Sequence, residues 1–215
     1  MSKEAPQGGT RYTDAQATWD KRFGREDYIF GTVPNAFLAA QASRLKPGQR
    51  ALCVADGEGR NSVWLARQGL RVTAFDISPV GVDKARKLAA GAGVTVDYQV
   101  SDVAQWAWPE AAFEVVAAIF VQFADPELRA LMFARMLRAL APGGLLLVQG
   151  YTPRQLEYKT GGPPQVAHLY TETLLRAAFG ACEILQLREH DDVIDEGSQH
   201  SGMSGLIDLV ARKPA

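Results

Sequence analysis

The sequence predicts an α/β fold: a mostly parallel sheet with helices on both faces, an antiparallel last strand at one edge, and a helical cap at the N-terminus. From residue 51 to about residue 150, short and continuously apolar runs alternate with helical patterns. This alternation is typical of buried parallel strands that are joined by helices. Two further strand-like runs then follow without a helix between them, which indicates a hairpin and therefore an antiparallel partner at the sheet edge.

Helical spacing predicts two helices in the N-terminal cap, one over residues 12–23 and one over about residues 35–45. In the alternating region, Ser78 and Pro79 have the positions of an N-cap and a first helical residue. The strands expected there are "ALCVA", "RVTAFD", "VTVDYQ", "FEVVAAIF" and "LLLVQG", and the helices are "RNSVWLARQG", "SPVGVDKARKLAAGAG" and "DPELRALMFARMLRALAPGG".

After Gly150 the regular alternation stops. The polar segment "YTPRQLEYKTGGPP" has the length and composition of a loop that carries function. A short helix is expected over residues 171–178. The closing strands "EILQLREH" and "MSGLIDLVARK" are then joined by "DDVIDEGSQHSG".

Length and charge restrict the class of protein. A chain of 215 residues fits one domain, so we expect a flexible segment over residues 1–10 and a single domain over residues 11–215. The 23 basic and 24 acidic residues form no long block of one sign, which disfavours a nucleic-acid partner. The chain shows neither the apolar segment of a signal peptide nor a run near the ~18 residues of a membrane span, so no membrane association is expected.

The cysteines and histidines match no disulfide or metal pattern. Cys53 and Cys182 have no paired spacing, so we expect buried reduced thiols and a cytoplasmic location. The histidines His168, His190 and His200 are scattered and match no zinc spacing. No metal site is therefore expected.

A glycine-rich turn, "VADGEGRN", follows the first strand, and an acidic residue ends the second. Gly57 and Gly59 fit a turn that lies against a ligand, because a Cβ would obstruct the approach. In a doubly wound sheet the ligand lies beyond the carboxyl ends of the strands. Asp76, at the end of the second strand, could accept hydrogen bonds from the two hydroxyls of a ribose. The pair predicts an adenosine-type ligand.

Two features of this turn distinguish between adenosine ligands. Ser62 stands where a dinucleotide fingerprint has its third glycine, and Asp56 and Glu58 would repel a pyrophosphate. S-adenosylmethionine, which has a sulfonium and an ammonium group, is favoured by the same acids. The alternative is that both acids are solvated turn residues with no ligand role.

Seven blocks of the chain occur in the order "WDKRF", "YIFGTVPN", "VADGEGRN", "VTAFDIS", "LAPGG", "YTPRQLEYKTGGPP" and "EGSQHSG". In this order they resemble class I S-adenosylmethionine-dependent methyltransferases, specifically the branch related to tellurite-resistance and thiopurine methyltransferases. The resemblance covers about residues 12–212 and implies a Rossmann-like sheet of seven strands with the last one antiparallel. The sequence departs from the usual first motif at Cys53, in place of an acid, and at Ala55, in place of a glycine, so either Asp56 or Glu58 could face the methionine end.

The resemblance also implies roles for individual residues. Asp76 and Ile77 would hold the ribose and one face of the adenine, and Asp102 and Val103 would meet its amino edge. Asp102 has an alternative role as the cap of a short turn. The full set of predicted cofactor residues is Trp19, Arg22, Ala55, Asp56, Gly57, Gly59, Asn61, Asp76, Ile77, Asp102, Val103, Phe120 and Val121, with Trp19 and Arg22 over the methionine carboxylate and Phe120 and Val121 beside the sulfonium.

The reaction that follows is in-line methyl transfer to a small-molecule acceptor, for which a thiol, a heterocycle and a chalcogen oxyanion are all considered. Positioning carries most of such a reaction, so a catalytic base is optional. If the acceptor must lose a proton, the candidates are Tyr151, His168 and His200. Two alternatives stay open: a non-catalytic S-adenosylmethionine sensor or scaffold, and a nicotinamide-dependent oxidoreductase. The sequence does not predict the acceptor or the oligomeric state.

Overall fold

The computed structural model describes residues 9–215, and their side chains from residue 15 onward. The expected flexible segment over residues 1–10 lies mostly outside this range. Seven strands and seven α-helices are present in the described part: α1 Gly9–Phe23, α2 Ala36–Ala40, β1 Arg50–Val54, α3 Arg60–Arg67, β2 Arg71–Asp76, α4 Pro79–Gly91, β3 Val96–Val100, β4 Phe113–Ile119, α5 Pro126–Ala139, β5 Leu140–Tyr151, α6 Gln155–Tyr158, α7 Glu172–Phe179, β6 Glu183–Asp195 and β7 Ser201–Arg212.

The strands form one sheet in the order β3-β2-β1-β4-β5-β7-β6. Strand β1 pairs in parallel with both β2 and β4, whereas β7 runs antiparallel to β5 and to β6. The predicted fold class is therefore confirmed, including the antiparallel last strand. Strands β2 and β3 are added on one side of β1, and the later strands are added on its other side, beginning with β4. Where this direction changes, a crevice opens between the carboxyl ends of β1 and β4.

Two hydrophobic cores cover the two faces of the sheet, because alternate residues of each strand point to opposite sides. Leu52 and Val54 of β1 lie in one core, and Ala51 and Cys53 lie in the other. Both cysteines are buried free thiols, as predicted. Within the part of the chain that the structure describes, no helix is long and apolar enough to span a membrane.

Local boundaries differ from the prediction in three places. The second cap helix ends at Ala40 and continues as a 3₁₀ turn over Ala42–Arg44. Strand β5 begins at Leu140 rather than residue 145, because Leu140 already pairs with Phe113 ahead of a bulge. The segment expected as a loop after residue 190 instead extends β6 to Asp195, since it keeps pairing with β7 as far as Ser201. The hairpin turn is thus only residues 196–200.

Candidate functional site

A cavity of about 830 Å³ lies at the carboxyl ends of the central strands, and the N-terminal cap and residues 161–165 also form part of its wall. Its size falls within the roughly 300–1,000 Å³ of small-molecule sites. Every residue that the sequence predicted for the site lines this cavity except Gly59 and Val121. Those that do are Trp19, Arg22, Ala55, Asp56, Gly57, Asn61, Asp76, Ile77, Asp102, Val103, Phe120, Tyr151, His168 and His200.

The turn after β1 brings its backbone directly to the end of β2. The amide of Gly57 donates to Oδ2 of Asp76 at 2.8 Å, and the amide of Asp56 donates to the carbonyl of Phe75 at 3.1 Å. Ala55 and Gly57 both have positive φ, at 50° and 61°. Alanine therefore takes the left-handed conformation that a glycine would occupy at lower cost, and the departure at this position leaves the turn intact.

Gly59 supports the turn from behind and does not line the cavity. Its φ is 93°, and a Cβ at this position would lie 2.7 Å from the Cβ of Ala85 in α4. The glycine is needed because α3 and α4 pack closely at this point. The sequence predicted that Gly59 lies against the ligand, but in the structure it packs against α4 instead.

Asp76 is buried, with 6% of its surface exposed. Its two oxygens accept from the backbone amides of Gly57 and Ser78, at 2.8 and 2.9 Å. Burial raises its pKa to about 6, although the two amide hydrogen bonds oppose the rise and the nearby charge of Asp20 adds to it. Each oxygen keeps a lone pair that can accept from a ligand hydroxyl.

The two acids of the turn have different surroundings. Glu58 is 3% exposed and forms an ion pair with Lys84 at 2.5 Å. Asp56 is half-buried at the cavity wall and accepts hydrogen bonds from the amide and the hydroxyl of Ser62. Burial and the charge of Asp76 raise the pKa of Asp56 to about 7. Asp56 is therefore the better placed of the two to meet a cationic ligand.

The cap closes one side of the cavity with aromatic rings and a cation. Trp19 and Phe23 stack at 5.3 Å between ring centroids, and Phe30 meets Phe23 edge-on at 6.2 Å. The guanidinium of Arg22 lies 4.4 Å from the centroid of the Trp19 ring. Burial lowers the pKa of Arg22. Its side chain also donates to Gln199 of the last hairpin turn at 3.4 Å, so the cap and the hairpin meet over the cavity.

The third strand contributes the opposite wall. Asp102 accepts from the backbone amide of Ala104, so the alternative role as the cap of a short turn is present. Asp102 and Val103 also line the cavity with Ile77. Val121, in contrast, is 1% exposed and packs in the hydrophobic core, because the chain turns at Phe120, whose φ is 56°. The neighbours Phe120 and Gln122 reach the cavity in its place.

Tyr151 and His200 lie at the same end of the cavity. Their ring centroids are 5.7 Å apart, and the Phe120 ring contacts both, at 4.7 and 4.5 Å. Burial lowers the pKa of His200 to about 3, with a further contribution from the charges of Arg60 and Arg22. Burial raises the pKa of Tyr151. Both groups are neutral near pH 7 and are weak bases there.

His168 lies nearer to the protein backbone than to this pair. Its Nδ1 is 3.0 Å from the carbonyl oxygen of Gln122, and the Gln122 side chain donates to the carbonyl of His168 at 3.1 Å. These reciprocal hydrogen bonds fix residues 166–168 against the end of β4. A role in holding the cavity wall fits this geometry better than proton transfer.

Comparison with known proteins gives a family for the centre of the chain. Residues 51–144 match the family described as a methyltransferase domain. This segment runs from β1 into β5, so it contains the turn, Asp76 and Asp102. The match supports the predicted enzyme class.

The chain is also similar to individual curated proteins. An uncharacterised protein of Mycobacterium tuberculosis is 32% identical over 56% of this chain and 43% of its own length. A ubiquinone biosynthesis O-methyltransferase of Xanthomonas axonopodis is 34% identical over 60% of this chain and 55% of its own length. The chain thus spans about half the length of the curated relatives that it matches.

Among solved structures, the N-methyltransferase NodS of Bradyrhizobium japonicum, in complex with S-adenosyl-L-homocysteine, has a similar fold. The TM-score is 0.69 at 15% identity, and the match covers 93% of this chain and 98% of NodS. At this identity the likeness establishes the fold, which extends over both the methyltransferase-like segment and the closing hairpin.

Two residues that line the cavity, Arg60 and Phe30, were not predicted from the sequence. Arg60 follows Gly59 directly in the quoted turn, lines the cavity, and pairs with Glu196 of the hairpin at 2.6 Å. Phe30 lies in the quoted block "YIFGTVPN", and its ring centroid is 4.5 Å from that of His200. Arg60 could have been predicted, because a charged residue within a turn next to a ligand site is itself a signal. Nothing in the sequence indicated that its partner is Glu196.

Proposed function

We propose that this protein transfers a methyl group from S-adenosylmethionine to a small-molecule acceptor. The observation that carries the proposal is Asp76, a buried carboxylate at the end of β2, which is held by the turn after β1 and faces the cavity. The match of residues 51–144 to a methyltransferase domain supports it. So does the neighbour NodS, whose structure contains the demethylated cofactor.

The residues of the cavity fit this cofactor. Asp76 would accept from the ribose hydroxyls, Ile77 would cover one face of the adenine, and Asp102 and Val103 would meet its amino edge. Asp56 would face the positively charged part, and Trp19 and Arg22 would cover the methionine carboxylate.

A nicotinamide dinucleotide fits the same cavity less well. The N-terminus of a helix commonly binds a pyrophosphate with its free amides. At α3 the Asp56 carboxylate accepts from the amide of Ser62 at 3.3 Å and from its hydroxyl. An acid thus occupies the place of the phosphate, which disfavours the oxidoreductase alternative.

When bound, S-adenosylmethionine supplies a methyl group on positively charged sulfur, and the carbon is then open to in-line attack. The chain has to hold the acceptor in line with that carbon and exclude water. Phe30, Phe120 and Tyr151 line the expected reaction end with apolar surface. Such positioning contributes up to about 7–11 kcal/mol in favourable cases, so no base is required for an acceptor that arrives ionised.

The finer assignment is also a proposal. The branch related to tellurite-resistance and thiopurine methyltransferases is supported by two blocks that meet at the cavity, since Gly161, Gly162 and His200 all line it. The burial of both free thiols supports a cytoplasmic location.

Two measurements test the proposed function. Calorimetry should show binding of S-adenosylmethionine and of its demethylated product, with NAD(H) bound far more weakly. Incubation with methyl-labelled cofactor and a panel of thiols, phenols, heterocycles, selenite and tellurite should then show transfer to at least one. Cofactor binding without transfer would favour the sensor alternative, and tight NAD(H) binding alone would reject the methyltransferase.

A further inference from the structure

Three polar atoms at one end of the cavity are buried without a partner. Among the described residues, Nη1 of Arg60, the hydroxyl of Tyr151 and Nδ1 of His200 make no hydrogen bond. These residues are 6%, 1% and 8% exposed, and all three line the cavity. A buried polar group without a partner costs about 1–3 kcal/mol. Three such groups in one place indicate a site for a ligand.

All three groups are able to donate a hydrogen bond to a ligand. Arginine carries only donors, a tyrosine hydroxyl can donate, and a neutral imidazole donates from Nδ1 in the tautomer that carries its proton there. The electrostatics agree with this arrangement. The charges of Arg60 and Arg22 disfavour protonation of His200, and burial and the charge of Glu196 raise the pKa of Tyr151, so Tyr151 keeps the proton that it would donate.

Arg60 is fixed in place by the last hairpin. Its Nη2 pairs with Oε2 of Glu196 at 2.6 Å. The other oxygen of Glu196 accepts from the side chain of Asn35 at 2.9 Å and from the amide of Ala36 at 3.1 Å. These bonds hold one edge of the guanidinium and leave Nη1 for a ligand.

The surroundings indicate the shape of the ligand. The rings of Phe30 and Phe120 each lie 4.5 Å from the His200 ring, between centroids. Gly162 covers Tyr151 so closely that a Cβ would lie 2.7 Å from its ring. Aromatic walls of this kind favour a flat ring, and an oxygen accepts these hydrogen bonds better than a sulfur does.

We propose that Arg60, Tyr151 and His200 form the acceptor subsite and bind a flat organic acceptor through an ionised oxygen, as in a phenolate or an enolate. This inference rests on the proposed function, because it assigns the acceptor of the same cavity. It gives Tyr151 and His200 the role of hydrogen-bond donors to an oxyanion rather than of a base.

The probe for the experiment is para-nitrophenol, whose absorbance reports whether its oxygen is ionised. It is titrated into the protein saturated with S-adenosyl-L-homocysteine, which fills the cofactor side. We expect the bound probe to have the phenolate spectrum at a pH below its solution pKa. Nitrobenzene, para-nitroaniline, a thiophenol and selenite are the comparison ligands, and each should bind at least about fivefold more weakly.

Two variants assign the effect to the subsite. Tyr151→Phe removes one donor and keeps the ring, and Arg60→Lys keeps the charge opposite Glu196. Each should weaken probe binding by about five- to tenfold, the effect of one lost hydrogen bond, and leave the affinity for S-adenosyl-L-homocysteine within twofold. Tyr170→Phe is the matched control: its hydroxyl is also buried without a described partner but does not line the cavity, so probe binding should not change.

The possible results separate the two proposals. Wild-type protein that binds no cofactor overturns the proposed function and the subsite with it. Cofactor binding combined with unchanged probe binding in Tyr151→Phe and Arg60→Lys overturns the subsite alone. Preferential binding of selenite, the aniline or the thiol also overturns it, since the ligand would then not be a flat organic oxyanion.

Discussion

The two ends of the cavity are built in different ways. At the proposed adenosine end, each polar group is held by a neighbour: Asp76 by two amides and Asp56 by Ser62. At the proposed acceptor end, Tyr151 and His200 carry atoms without a partner among the described residues. The first end is acidic and the second lies near two arginines. The carboxylates of the proposed cofactor end thus already form hydrogen bonds within the protein, whereas polar atoms of the proposed acceptor end remain available to a ligand.

The largest expected effect concerns the glycines that support the two ends. Gly59→Ala should lower the free energy of unfolding by about 2–4 kcal/mol, because the residue has positive φ and its Cβ would collide with Ala85 in packed structure. Gly162→Ala, above Tyr151, should cost less, since residues 159–165 form a loop outside the packed helices and strands. Urea unfolding measures both.

Gly91→Ala is the matched control in α4. No atom lies within 4 Å of the added Cβ, so the change should be neutral or stabilise by about 0.5–1 kcal/mol. Equal losses for Gly59→Ala and Gly91→Ala would remove the argument from close packing.

Removal of the acid at the adenosine end comes next. Asp76→Ala should weaken binding of S-adenosylmethionine by about 1.5–3 kcal/mol, the contribution of charge-assisted hydrogen bonds. Calorimetry measures this loss, and His168→Ala serves as a variant at the cavity wall that should retain cofactor affinity. If Asp76→Ala binds the cofactor as well as the wild type does, Asp76 does not hold the ribose.

The pH dependence of cofactor binding reports on the adenosine end. Asp76 and Asp56 have pKa values raised to about 6 and about 7, so a cationic ligand that favours their ionised forms should bind more weakly as the pH falls from 7.5 to 5. The loss should approach about tenfold per pH unit for each proton taken up. Asp56→Asn should flatten the upper part of the profile when it is measured by calorimetry.

His200 should not contribute to that profile, because its pKa of about 3 keeps it neutral throughout. Its effect is on stability instead. A histidine with a lowered pKa in the folded state favours folding above the unfolded value of about 6.5, and this contribution is lost as the pH falls toward 3. The raised carboxyl pKa values act oppositely, since they disfavour the folded state as the pH rises from about 4 through 7.

The smallest effect compares two tyrosine hydroxyls, one on the half-buried Tyr98 and one on the buried Tyr151. The Tyr98 hydroxyl lies 2.9 Å from the Ser62 hydroxyl at the adenosine end, so Tyr98→Phe should cost about 1 kcal/mol of stability. Tyr151→Phe removes a hydroxyl without a described partner and should leave the stability unchanged or slightly higher. Thermal unfolding measures both. A larger loss at Tyr151 would mean that its hydroxyl has a structural partner in the free protein.

Much of the site could be predicted where the signal is local. The turn follows β1, Asp76 is the last residue of β2 and Asp102 lies two residues beyond the end of β3, and the carboxyl ends of parallel strands meet at one edge of the sheet. The exceptions have local causes. Gly59 is needed for packing against Ala85, and Val121 enters the core because the chain turns at Phe120. Neither the packing distance nor the turn can be read from residue spacing.

The sequence alone determined the order of strands and helices, the closing hairpin and the acid at the end of β2, because periodicity and turn chemistry are properties of short segments. The tertiary structure distinguished the two turn acids, which both line the cavity, because Lys84 of α4 pairs with Glu58 and not with Asp56. It also brought Arg60, Tyr151 and His200 together from three distant segments. Their proximity depends on how the start of α3, the end of β5 and the last hairpin turn are arranged around the cavity, and this arrangement cannot be read from local sequence.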